Sequence, residues 1–173
     1  ITDKTEGDFD LAAIDLAMEA NLLSRLNHEN IIELHGIYGG ELKSCYADSE
    51  RGYFLLLDQL QDTLPKHLER ARAKERRRIL SNSVSSDKML DRLKNIALGV
   101  SKGLEYLHSN QIIFRDLKPD NIGFTQRGNP VIFDFGFARE LHTLQGDEIA
   151  GSLRYMSPEM AFGQNPSLPS DVY

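Results

Sequence analysis

The sequence holds a single cysteine, Cys45, and no excess of positive charge. A lone cysteine cannot close an internal disulfide, so a reducing, cytoplasmic location inside the cell is the simpler expectation. Twenty Lys and Arg stand against 26 Asp and Glu, a formal charge of −6. That balance argues against nucleic acid as a partner, because phosphate backbones attract net positive surfaces. No run of about 18 apolar residues occurs, so no membrane segment is expected. The opening Ile-Thr-Asp-Lys-Thr-Glu-Gly-Asp lacks an apolar signal core. It also lacks an initiator Met, and the chain is expected to start mid-protein. Internal repeats and low-complexity tracts are absent. What is present is 40% apolar residues in 173, enough for the core of one domain or most of one.

Residues 9–26 are expected to form a helix, because Leu11, Ile14, Met18, Leu22 and Leu26 recur at three- or four-residue steps. Asn27 to Asn30 end it. Ile31 to Tyr38 read as a strand interrupted by Gly36, and Gly39 to Gly52 as a polar loop. Tyr53 to Leu57 is a short apolar run of the kind found in buried strands. Lys66, Arg70, Arg72, Lys74, Arg76, Arg77 and Arg78 form a basic cluster, followed by Ser81, Ser83, Ser85 and Ser86. The cluster reads as a solvated helix end running into a loop, or as a regulatory insert in which arginines precede phosphorylatable serines. Leu90, Leu93, Ile96, Val100, Leu104 and Leu107 give the steadiest stripe and predict a helix over 88–108. Ile112–Ile113 is a brief strand. Asn121–Thr125 and Pro130–Phe133 flank Gln126-Arg-Gly-Asn129, a hairpin turn. Residues 134–170 show no period and are expected to be one long, functional loop.

Phe114-Arg115-Asp116-Leu117-Lys118-Pro119-Asp120-Asn121 is followed 13 residues later by Asp134-Phe135-Gly136, with a strand pair between. Gly151-Ser152-Leu-Arg-Tyr-Met-Ser-Pro-Glu159 and Asp171-Val172-Tyr173 come next. Upstream lies Glu19-Ala-Asn-Leu-Leu-Ser-Arg-Leu-Asn-His-Glu-Asn-Ile-Ile32. These motifs resemble, in family order, the catalytic loop, the magnesium-binding loop, the end of the activation segment, the start of the helix after it, and the regulatory helix of eukaryotic protein kinases. The resemblance covers essentially all 173 residues. A lone Asp-Phe-Gly would be weak evidence, whereas four ordered motifs are specific. Gly151-Ser152 and Lys118 point to serine/threonine specificity, and the 151–159 stretch looks closest to the tyrosine-kinase-like group.

The resemblance implies an α+β, two-lobed protein-kinase-like fold, truncated to part of the N-lobe (1–57, regulatory helix to hinge) and the first half of the mainly helical C-lobe (58–173). It implies ATP and Mg²⁺ as cofactors and a protein Ser/Thr hydroxyl as substrate, with no nucleic acid or membrane partner. Phosphoryl transfer needs alignment and charge neutralisation rather than covalent help. Asp116 would accept or orient the hydroxyl proton, and Lys118 would offset charge on the transferred phosphate. Asn121 and Asp134 supply hard oxygen donors suited to Mg²⁺. Gly136 is expected to permit the turn that aims Asp134 inward. Glu19 takes the family's salt-bridge role beside ATP. In the hinge, the backbone of Asp58 and Leu60 would bond adenine, Leu57 would guard the pocket behind, and Asp62 would bind ribose. Phe135 is a packing switch, and Ser152 belongs to the substrate side. Arg115 resembles the arginine that reads an activation-segment phosphate. Asp147 or Glu148 would partly replace that phosphate, or else be merely solvated. Glu159 is expected to pair with an arginine beyond the chain.

Departures are as informative. Phe114 replaces the commoner histidine and is expected to pack with Leu23, Phe135 and Leu34. Ser157 replaces alanine. No glycine-rich phosphate loop and no Val-Ala-x-Lys strand precedes Glu19. The resemblance therefore implies an interior fragment of a kinase domain, inactive when taken literally. The alternatives are a catalytically inactive kinase-like scaffold, against which Asp116, Lys118, Asn121 and Asp134 argue, and a small-molecule phosphotransferase, against which Ser157-Pro158-Glu159 argues.

Overall fold

The computed structural model describes residues 6–37, 54–80, 87–144 and 150–173, with side chains described except at 6–12, 75–80 and 87–88. Its architecture is α+β. Helix α1 (Glu6–Leu23) leads to the strands β1 (Leu34–Ile37) and β2 (Leu55–Leu57), which pair antiparallel. After β3 (Asp62–Thr63) come α2 (Leu64–Leu80) and α3 (Asp87–Ser109). Strands β4 (Ile112–Ile113), β5 (Ile122–Phe124), β6 (Pro130–Ile132) and β7 (Arg139–Glu140) follow, then the short helix α4 (Pro158–Ala161). Strand β5 sits between β3 and β6, and β4 pairs with β7. All these pairings are antiparallel.

The stripe on α3 turns inward from Ile96 onward. Ile96, Leu104 and Leu107 are buried, whereas Leu90 and Leu93 are exposed. In α1 the inward face differs from the expected one. Ile14 and Met18 are exposed, and Ala13, Ala20, Leu22 and Leu23 are buried. Apolar residues occur all round this helix, so spacing alone selects no single face. The basic segment is a full helix, not a helix end. Leu64, Leu68 and Ala71 supply a narrow apolar line, Pro65 is tolerated in the first turn, and Ala, Lys, Arg and Glu are good helix formers. Among its described residues, the expected loop over 134–170 contains β7, three 3₁₀ turns (the last running on to Asp171) and α4. Two-residue strands paired through backbone leave no period to read. The loop 39–52 and Ser81 to Ser86 lie outside the described residues.

One core joins the end of α1 to the strands β4 and β6 and the segment after β6. Leu22, Leu23, Ile31, Ile32, Leu104, Leu107, Phe114, Ile132 and Phe135 form a single buried cluster, with Leu34 packed against it. Phe114 and Phe135, both 0% exposed, meet edge-on at 5.1 Å between ring centres. Burial of each such ring stabilises the fold by roughly 1.5–3 kcal/mol. The loop after α1 is stitched into the lower region. Ile32 donates its N–H to Ile132 O at 3.0 Å, Ile132 to Asn30 O at 2.9 Å, and the Asn30 amide to Pro130 O at 2.8 Å. Gly99 makes this approach possible, because a Cβ there would stand 2.4 Å from Pro130 Cγ.

Candidate active site

The segment Phe114–Asn121 runs from β4 to β5 as a loop ending in the 3₁₀ turn Pro119–Asn121. Its polar groups bond one another. The Asp116 side chain is 1% exposed, and Lys118 Nζ donates to its Oδ2 at 2.6 Å. Asn121 Nδ2 donates to the same oxygen at 2.9 Å and to Asp116 O at 3.1 Å. The other carboxylate oxygen, Oδ1, accepts the Ser152 N–H at 2.8 Å, and Lys118 Nζ donates to Ser152 Oγ at 2.9 Å. A buried carboxylate is tolerable only when paired and hydrogen-bonded, and Asp116 is both. Ser152 reaches it because Gly151 adopts φ +101°, and a Cβ there would lie 2.4 Å from Arg115 O. No residue with a side chain fits that position.

Asp171 holds the loop from behind. Its carboxylate accepts the Phe114 N–H at 2.8 Å, the Arg115 N–H at 2.7 Å, and a hydrogen bond from His108 Nε2 at 2.9 Å. These contacts support Arg115 in a left-handed conformation, φ +69°. Its guanidinium Nε donates to Phe137 O at 2.7 Å. Asp134 is also left-handed, at φ +67°, and its side chain is exposed. The expected role of Gly136 is thus corrected. Its φ is not positive, and a Cβ there would meet only Asp134 Oδ1, at 3.6 Å. The turn is made by Asp134 itself.

Glu19 reaches this centre from α1 and accepts the Phe135 N–H at 3.0 Å. Burial holds its carboxyl above the usual range; that hydrogen bond pulls it down, and the charge of Asp134 pushes it up again. In the hinge, Leu57 ends β2 and Leu60 packs against the core. Asp58, whose backbone is expected to bond adenine, donates its N–H to Glu33 O at 3.1 Å, which leaves its carbonyl for that role. Asp62, expected to bind ribose, has a carboxylate 7% exposed and bonded to Arg70 of α2. Glu159 accepts the Ser170 hydroxyl at 2.6 Å, which holds its carboxyl below the usual range. Asp147 and Glu148 lie outside the described residues.

Comparison with known proteins settles the lineage. The family model described as protein kinase domain matches residues 3–173. The chain belongs to the protein kinase family. It is 33% identical over 161 residues to a serine/threonine-protein kinase of Helianthus annuus, covering 90% of this chain and 59% of that protein. A serine/threonine-protein kinase of Bifidobacterium longum, PknB, is 29% identical over 161 residues, covering 90% of this chain and 21% of the relative. The MAP kinase kinase skh1/pek1 of Schizosaccharomyces pombe is 41% identical over 81 residues, 47% of this chain and 22% of its own. The chain thus spans 59% or less of these three relatives. His108 falls in none of the sequence motifs that carry the family resemblance, and Asp171 reads in sequence only as the start of a helix. Their partners lie 56 to 63 residues apart, beyond any local motif.

Proposed function

We propose that the full protein is a serine/threonine kinase that transfers the γ-phosphoryl group of ATP to a Ser or Thr hydroxyl of a protein. The reading rests on one observation, the closed set of hydrogen bonds among Asp116, Lys118, Asn121 and Ser152. Asp116 Oδ2 is the oxygen that would receive or orient the hydroxyl proton, and Lys118 holds it in place. Lys118 also brings a positive charge to where the phosphoryl group passes. Ser152, bonded to both, fixes the distance between the activation segment and the loop. The donor set fits Mg²⁺. Asn121 spends its Nδ2 on Asp116 and keeps its Oδ1, while Asp134 carries an exposed carboxylate close enough to Glu19 to raise that group's pKa. Bound Mg²⁺–ATP supplies the transferable phosphoryl group with part of its charge neutralised. The Asp58 carbonyl and the Leu60 N–H are the hinge groups offered to adenine, with Leu57 behind them.

Among the described residues no helix is long and apolar enough to cross a membrane. A cytoplasmic location and a division at residue 57 between the two lobes complete the reading. The test is Asp116→Asn in the full-length protein, assayed with labelled ATP on protein substrates. Turnover is expected to fall by about 10²–10⁴-fold, with nucleotide affinity unchanged. Near-normal turnover would remove Asp116 from this role.

A further inference from the structure

We propose that Glu33, His35 and Asp58 form a site for one Zn²⁺ ion on the outer face of the β1–β2 pair, apart from the cleft around Asp116. Glu33 and His35 are two positions apart in extended chain and both exposed, so their side chains leave the same face. Asp58 follows β2 directly, and its N–H bond to Glu33 O at 3.1 Å seats it beside them. The register adds a second feature. Leu34 pairs with Leu57 and Gly36 with Leu56, so His35 is an extra residue on β1. A bulge of this kind re-aims a side chain. Here the imidazole is turned so that Nε2 lies 2.7 Å from Asp58 Oδ1. One ligand atom from each of the three residues falls within 4.8 Å of the others.

The donor set selects the ion. One imidazole with two carboxylates suits Zn²⁺, whereas Mg²⁺ and Ca²⁺ prefer oxygen donors throughout. In a tetrahedral site with bonds of about 2.0–2.1 Å, donors stand about 3.3 Å apart. The imidazole and the Asp58 carboxylate therefore open by about 0.6 Å, the Glu33 carboxylate closes in, and the proton shared by His35 and Asp58 leaves. The His35 and Asp58 side chains are 43% and 34% exposed, so both can rotate and the ion has a path in. The fourth position is left to water. It borders a cleft of about 650 Å³ lined by Glu33, Asp58, Gln59, Glu29 and Arg127, in which carboxylates outnumber the arginine. The bound ion would tie β1 to the first hinge residue.

The experiment uses the full-length protein carrying Cys45→Ser, so that the thiol does not compete, and Asp134→Ala, so that the carboxylate offered to Mg²⁺ does not. Equilibrium dialysis against Zn²⁺ alone, with metal analysis and a competing chelator, is expected to give one ion per chain that excess Mg²⁺ does not displace. His35→Ala, which removes a ligand outright, is expected to weaken binding more than about 100-fold, beyond the 10–100-fold typical of outer partners, and Glu33→Gln less, because its amide oxygen remains a weaker donor. Co²⁺ in place of Zn²⁺ should give the visible bands of a tetrahedral site, lost in His35→Ala. Circular dichroism checks that the exposed substitutions leave the fold intact. Equal Zn²⁺ affinity with and without the His35 side chain overturns the proposal. So does a parent that retains no Zn²⁺, which would make His35 and Asp58 a hydrogen-bonded pair and nothing more.

Discussion

In the loop from Phe114 to Asn121, side chains are held by other buried groups. The carboxylates of Asp116 and Asp171 are each 1% exposed, and each has three donors. In the β1–β2 pair and the hinge, large apolar residues stand in solvent, with Ile37 at 53%, Phe54 at 56% and Leu56 at 59% exposure. The first region specifies its side chains, because an unpaired buried polar group is costly. The second specifies its backbone, through the β1–β2 ladder and the Asp58–Glu33 bond, and leaves its outward apolar side chains replaceable. A site that moves a proton needs the first kind of order. Under the proposed function, a hinge that reads an adenine edge through main-chain groups needs only the second.

That contrast can be broken at Asp171. Asp171→Ala strips the acceptor from two buried backbone N–H groups and is expected to cost about 2–5 kcal/mol. Turnover should fall with it, since the loop would no longer be held; Asp171→Asn keeps one acceptor oxygen and should be intermediate. Denaturant midpoints read beside turnover check this, and a silent Asp171→Ala would erase the distinction between the regions. Gly151→Ala comes next, at about 2 kcal/mol, because φ +101° and the approach to Arg115 O both oppose a Cβ. Its signature is loss of turnover exceeding loss of nucleotide affinity.

Glu159 sharpens the comparison through pH. Its folded carboxyl gives up a proton more readily than the ordinary value of 4.5 implies, mainly because of the Ser170 hydroxyl. Its stabilising contribution is therefore present above about pH 4.5 and fades as pH falls through the lowered value. The difference in urea midpoint between the parent and Glu159→Gln should shrink on acidification; a difference that grows would contradict the assignment. The smallest effect belongs to the second region. Leu56→Ser should change stability by less than about 0.5 kcal/mol in thermal melts, and a larger loss would show that this face is covered.

The loop from Phe114 to Asn121 was legible because the chemistry proposed for it demands particular residue types close together in sequence. The rest failed for identifiable reasons. Asp62 lies in a position suited to ribose, and its bond to Arg70, nearly two turns into α2, could not be read from the sequence. Gly136 looks like the flexible residue beside Asp134, yet Asp134 itself takes the left-handed conformation. The inward face of α1 was misplaced because its small residues, Ala13 and Ala20, meet the core while Ile14 and Met18 do not.

The sequence by itself determined the family, the order of the motifs, the long helix α3 and the roster around Asp116, since each of these rests on neighbours along the chain. Only the tertiary structure decided that Asp171 and His108 hold the loop from 56 to 63 residues away, that Glu19 meets Phe135, and that Glu33, His35 and Asp58 converge. Those contacts depend on which elements pack together and at what register, and a burial pattern read locally carries neither.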